Sequence, residues 1–195
     1  MTPDDVPTDD ALMARLQAGD ERALDELMTR WELPVRRYLH RHLQNEAAAL
    51  DIAEEAFVRV YQQRHRFAPG SHFTAWLFTI ATNLARSHHR WRARHPSEAF
   101  PDGDGGQGDV PVALREDATP ADALRRQEKI EAVRHAVSVL SDELRTVTLL
   151  YEYENLSHAE IASVLHCSAK AVETRLYRAR KRLRAILAPY FGGDN

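Results

Sequence analysis

The stretch Ser157-His158-Ala159-Glu160-Ile161-Ala162-Ser163-Val164-Leu165-His166-Cys167-Ser168-Ala169-Lys170-Ala171-Val172-Glu173-Thr174-Arg175-Leu176-Tyr177-Arg178 carries the pattern from which the fold can be read. Ser157 and Glu160 have capping-box spacing, in which a serine oxygen and a glutamate three residues on satisfy each other's orphan amide donors, so a helix is predicted to start at Ser157 and run to Leu165. His166-Cys167-Ser168 then supplies a turn and an N-cap. Val172, Leu176, Ala179, Leu183 and Ile186 follow at steps of four and three, the buried stripe of a second helix over Ala169 to Leu187. A short helix, a three-residue turn and a longer basic helix make a helix-turn-helix. Lys170, Thr174, Arg175 and Arg178 fall on the early, outward part of its second helix, where base edges and phosphates would be reached. Arg180, Lys181, Arg182 and Arg184 come later and suit phosphate or plain solvation, and Cys167 reads as a small buried residue.

Outward from this motif the helical period continues. Ala121 to Leu140 and Ser141 to Glu152 precede it, and Asp10 to Ala18, Glu21 to Leu43, Leu50 to Arg64 and Phe73 to Arg92 form an N-terminal set. Pro34 should kink the second of these, because it lacks an N–H and clashes with the preceding turn. No alternating Val/Ile/Thr-rich run appears, so the expected fold is all-α without a sheet. Gly103, Gly105, Gly106 and Gly108 sit among Pro96, Pro101, Pro111 and Pro120, which marks 96–121 as a flexible linker between a bundle over 1–95 and a smaller unit over 122–190.

The chain has 195 residues and a net charge of -3, and the near-neutral total hides a layout. Arg86, Arg90, Arg92 and Arg94 form one basic run and the helix after Ser168 another, while Glu98, Asp102, Asp104, Asp109, Glu116, Asp117 and Asp122 make the segment between them acidic. The longest apolar-leaning stretch, Phe73 to Ala85, is too short and too polar to cross a bilayer. The start Met1-Thr2-Pro3-Asp4-Asp5 reads as an acidic, mobile tail and not as a secretory signal, and the single Cys167 fits a reducing cytoplasm.

Gly103-Asp104-Gly105-Gly106-Gln107-Gly108 matches a dinucleotide fingerprint letter for letter, but neither a strand before it nor a helix start after it is predicted, so it counts as linker composition. None of the ten histidines lies four residues from another, and His88 and His89 are adjacent and point about 100° apart, so ordinary surface or partly buried histidines are expected and no metal site. Nucleophile elbow, Walker loop and zinc-helix patterns are absent from the sequence, which leaves no catalytic site and no cofactor to assign. Instead, Phe73, Trp76, Phe78 and Trp91 are interleaved with Asn83, Arg86, His88, His89 and Arg90 on one long helix, the mixture of stacking surface and charge that single-stranded DNA requires. A core role for Trp76, Leu77 and Ile80 accounts for part of the same pattern.

Asp51-Ile52-Ala53-Glu54-Glu55-Ala56-Phe57-Val58-Arg59-Val60-Tyr61 resembles the D-x-x-Q-E-x-F-x-x-x-W/Y pattern of the extracytoplasmic-function (ECF) group of sigma-70 family sigma factors. Phe73-Thr74-Ala75-Trp76-Leu77-Phe78-Thr79-Ile80-Ala81-Thr82-Asn83 resembles the same family's F-x-x-W-L-x-x-I-A-x-N. Glu154 to Ala162, with Thr174 to Leu183 after it, resembles the family's region 4. The resemblance implies a region 2-like domain that docks on core RNA polymerase and melts the minus-10 element, a linker that threads the polymerase, and a region 4-like domain that reads the minus-35 element. On the matching positions it implies polymerase contacts from Asp51, Glu54, Glu55, Phe57 and Tyr61. Minus-10 contacts would come from Ser71, His72, Phe73, Trp76, Asn83, Arg86 and Arg90, and minus-35 contacts from Lys170, Glu173, Thr174, Arg175 and Arg178. An anti-sigma factor is a family expectation.

Two positions depart from the pattern. Glu54 stands where glutamine is usual and adds a negative charge to the helix that the resemblance turns toward the polymerase. Glu173 stands where many members carry Lys or Arg, and its carboxylate repels phosphate but can accept from a cytosine amino group. A stand-alone helix-turn-helix regulator is the alternative function, for which a dimerising heptad is missing, and a metal-dependent hydrolase would need ligand clusters that the histidine spacing does not offer.

Overall fold

A computed structural model describes residues 6–95 and 120–191. The acidic start and the Gly103–Gly108 run lie outside the described residues, as does the predicted linker except for its last two positions. Eight α-helices and no strand occur among the described residues: α1 (Asp9–Gln17), α2 (Arg22–Leu43), α3 (Glu46–Gln63), α4 (Phe73–Arg94), α5 (Pro120–Ser138), α6 (Asp142–Glu152), α7 (His158–Leu165) and α8 (Ala169–Phe191). A single 3-10 turn, Arg64–Arg66, follows α3.

Local chemistry sets most of the boundaries. Thr8 caps α1 by accepting from the amide of Ala11, and Asn45 caps α3 by accepting from the amide of Ala48. The Asn45 cap starts α3 four residues ahead of the start expected at Leu50, because Glu46 to Ala49 carries little apolar periodicity and only the cap announces it. α2 runs unbroken through Pro34, and α8 through Pro189. Gly70, with φ +78°, occupies the left-handed region that a side chain rarely adopts and turns the chain into α4.

The bundle α1–α4 encloses an aromatic-rich core. Phe78 lies edge-on to Tyr38 at 5.2 Å and to Trp31 at 6.3 Å between ring centroids. Phe67, Phe73 and Trp76 close the end of the core near the turn. The buried Tyr38 hydroxyl shares a hydrogen bond of 2.8 Å with Thr82. In the second half α8 packs across α5, α6 and α7, burying Val172, Leu176 and Ala179.

The two halves close on one another. α4 meets α7, and α2 meets α6 and α5, so that one continuous apolar core runs through both. Polar groups line the junction between α2 and α6, with Arg145 Nη1 donating to the carbonyl of His42 at 2.9 Å.

Candidate nucleic-acid interface

α7 and α8 are placed by local caps. Ser157 accepts from the amide of Glu160, while the Glu160 carboxylate accepts from the Ser157 hydroxyl at 2.6 Å and from the Ser157 amide at 2.8 Å, and the hydroxyl bond first, then the amide bond, hold the Glu160 carboxyl below its ordinary range. His166 closes α7 in the left-handed conformation, φ 50°, which frees the Cys167 amide to donate back to Ala162 at 3.0 Å. Ser168 then caps α8 by accepting from the amide of Ala171 at 3.1 Å.

With one side of α8 held in the core, Lys170, Thr174, Arg175 and Arg178 line a shallow groove of about 530 Å³ together with Ser141 and Glu143. Lys170 and Arg178 are exposed, and Arg175 is half-buried with its guanidinium 3.4 Å from the Glu143 carboxylate. Glu173 stands outside the groove and pairs with Lys170 at 2.7 Å, which offsets its charge. Cys167 is half-buried and its sulfur accepts from Arg175 at 3.4 Å.

On α4, Trp76, Asn83 and Arg90 recur at seven-residue steps and so follow one stripe of the helix, with Arg86 beside it. Asn83 and Arg90 are exposed, and Arg90 donates to the Ser87 hydroxyl at 3.0 Å. Arg86 is drawn across the junction to Asp142 at 3.0 Å. His72 is exposed and Ser71 half-buried at the turn before α4. Phe73 is buried in the core, and Trp76 is half-buried against Phe67 and Phe73, so as placed here both rings face protein more than solvent.

α3 presents Asp51 and Glu54 to solvent and pairs Glu55 with Arg59 at 2.7 Å. Phe57 is buried, and Tyr61 is half-buried, donating to Glu21 at 2.7 Å beneath the Arg64 guanidinium. Leu50 and Val58, one turn on either side of Glu54, are 39% and 47% exposed. Such large apolar side chains flanking carboxylates on an open helix face suit protein docking. The apolar period of α3 places both outside the buried stripe, a signal that the acidic residues alone do not carry.

At the junction, Arg41 sits 3.8 Å from Glu154 and stacks over the Tyr153 ring at 4.3 Å. Burial outweighs Arg41 and Arg37 and pushes the Glu154 carboxyl up to about 7. The folded chain therefore holds this proton more tightly than the unfolded chain, and the stability it lends is lost as pH rises from the ordinary carboxylate range through about 7. Relative to Glu154→Gln, the wild type should lose about 2 kcal/mol between pH 5 and 8 in urea unfolding. His42, buried in both proteins and pushed down to about 4 by burial, contributes with the opposite sign and cancels in the comparison. An equal gap at both pH values would refute the assignment.

The sequence profile of Sigma-70 region 2 matches residues 27–95, and that of Sigma-70 region 4 matches residues 130–183. The RNA polymerase sigma-H factor of Pseudomonas aeruginosa is 33% identical over 93% of this chain and 94% of its own. The ECF RNA polymerase sigma-E factor of Haemophilus influenzae is 31% identical over 93% of this chain and 96% of its own. Among solved structures, CnrH in complex with the cytosolic domain of CnrY aligns with a TM-score of 0.68 at 26% identity, covering 93% of this chain and 97% of that one.

Proposed function

We propose a division of labour within this chain, which belongs to the extracytoplasmic-function group of the sigma-70 family and directs promoter-specific initiation by RNA polymerase: α1–α4 dock and melt, and α5–α8 read duplex. The observation that carries it is the α8 groove, where Lys170, Thr174, Arg175 and Arg178 converge on the open side of a helix whose other side is locked in the core. A rigid basic helix of this kind suits a major groove, here that of the minus-35 element. The chain supplies binding and DNA distortion in the cytoplasm while the polymerase supplies the chemistry. A stand-alone regulator would need specific duplex binding without polymerase, and nothing in the fold favours it.

For polymerase docking the reading rests on the α3 face of Asp51, Glu54 and Glu55, with Leu50 and Val58 alongside. Phe57 and Tyr61 would act by holding that face in shape. Glu55→Lys should reduce capture of core polymerase at least tenfold while far-UV circular dichroism stays unchanged. Capture equal to wild type would remove α3 from the interface.

For the minus-10 element, Asn83 offers an amide to an unpaired base edge, with Arg86 and Arg90 on the adjacent phosphates and Ser71 and His72 at the entry turn. Phe73 and Trp76 support this surface from within. Asn83→Ala should weaken permanganate reactivity of the melted thymines while leaving holoenzyme binding to a pre-melted bubble within a few-fold. Unchanged permanganate footprints would place the base pocket elsewhere.

In the closed arrangement the first turn of α6 holds one arginine of each DNA-facing surface, Asp142 taking Arg86 and Glu143 taking Arg175. Engagement of promoter DNA then exchanges carboxylate for phosphate or base at both. CnrH was captured with the cytosolic domain of CnrY, and an anti-sigma partner is expected for this chain from its family.

A further inference from the structure

We infer that His42 of α2, His89 of α4 and Asp142 of α6 form a binding site for one imidazole-preferring divalent metal ion, of the zinc or cobalt class, that bridges the two halves of the chain. Each residue offers a ligand atom, and these atoms all lie within 4.8 Å of one another. A tetrahedral zinc ion with bonds of about 2.0–2.1 Å needs its ligand atoms about 3.4 Å apart, so closure by at most about 1.4 Å suffices. The His42 Nε2 to Asp142 Oδ1 distance already stands at 3.4 Å.

A second observation points to a missing occupant. Among the described residues three buried side-chain polar atoms have no hydrogen-bond partner, and they belong to the two histidines of this cluster and to Arg145 beside it: His42 Nδ1, His89 Nε2 and Arg145 Nε. Buried polar groups in folded proteins are nearly always satisfied, so a cluster of orphans calls for water or an ion. A metal beside His42 Nε2 and Asp142 Oδ1 would take the orphaned His89 Nε2, and a water on the metal is the kind of acceptor that Arg145 Nε lacks.

Surrounding groups already orient the ligands. Arg86 donates to Asp142 Oδ2 at 3.0 Å and leaves Oδ1 facing His42. Thr146 Oγ1 donates to the Asp142 carbonyl at 2.7 Å and lies 3.0 Å from His42 Nε2, a contact that the metal would displace as the ring proton moves to Nδ1. The class of metal follows from charge and donor type. With two imidazoles, one carboxylate, and the guanidiniums of Arg86 and Arg145 close by, the site is too poor in oxygen and negative charge for calcium or magnesium, whereas imidazole suits zinc, cobalt, nickel or copper. Because two ligands come from the α1–α4 bundle and one from α6, occupancy would hold the closed arrangement together, whatever DNA the chain reads.

The test uses the full chain in a Cys167→Ser background, which removes the only thiol. Cobalt(II) titration should give one equivalent of binding with the visible absorption of a four-coordinate nitrogen and oxygen site, and zinc should displace it. His89 is half-buried and the Asp142 side chain is 43% exposed, so His89→Gln and Asp142→Asn should fold, as circular dichroism would verify. Each should weaken cobalt and zinc binding at least tenfold, while the exposed His65→Gln should not change it. Absence of stoichiometric binding would overturn the site and leave water as the occupant. Retention of full affinity in either His89→Gln or Asp142→Asn would overturn the three-ligand bridge.

Discussion

Replacing Phe78 by alanine should lower the unfolding free energy by about 3–5 kcal/mol, the range found when a buried aromatic ring leaves a cavity that its neighbours fill only in part. Phe78 is fully buried on α4 and touches the rings of both Tyr38 and Trp31, which come from α2. The Tyr38 hydroxyl is tied to Thr82, one turn further along α4, so collapse around the vacated space would disturb that hydrogen bond as well. A domain of this size has about 5–15 kcal/mol of stability in all, and such a loss would leave α4 poorly fixed at physiological temperature. Urea unfolding at equilibrium is the measurement, and a loss below about 1 kcal/mol would mean that the core is organised around other residues.

The second large effect concerns base readout. Arg175 reaches the α8 groove with its guanidinium near Glu143 and the Cys167 sulfur, a half-buried and therefore directed placement. An arginine fork matches the major-groove edge of guanine, and its loss costs about 1–3 kcal/mol and relaxes preference at one base position. Arg175→Ala holoenzyme should therefore lose affinity for its preferred minus-35 sequence and tolerate changes at that base. Lys170→Ala should differ in kind. An exposed lysine that contacts phosphate lowers affinity for all sequences alike and reduces the salt slope by about one unit. If Arg175→Ala weakens every single-base variant of the minus-35 element equally, Arg175 is a phosphate clamp.

Helices with caps or strong period were legible in the sequence, because both signals are local. The Ser157–Glu160 pair announced α7, and the Val172, Leu176 and Ala179 stripe announced the buried side of α8. α3 began earlier than its apolar period suggested because Asn45, a cap, outranked a run of alanines. Side-chain direction was harder. Phe73 and Trp76 read as candidate stacking platforms, yet their rings meet Phe67 and one another, since an aromatic beside basic residues serves a core as readily as a DNA strand. The His42, His89 and Asp142 cluster was beyond reach of spacing rules altogether. Its members lie on three helices from both halves of the chain, and only the closure of one half on the other brings them together. The pairing of Arg86 with Asp142 and of Arg175 with Glu143 is likewise a product of tertiary packing.

On the proposed division of labour, this chain selects promoters only as part of RNA polymerase holoenzyme, with α3 docking, α4 melting and α8 reading. The most direct measurement is run-off transcription by purified core polymerase on a library of promoter sequences, with and without the full chain, paired with a duplex-binding assay of the chain alone. The expected result is chain-dependent initiation from a subset of templates that share a minus-35 and a minus-10 element, and no comparable sequence selection by the chain without polymerase. Tight sequence-specific duplex binding by the chain alone, with no chain-dependent transcript from any template, would contradict it.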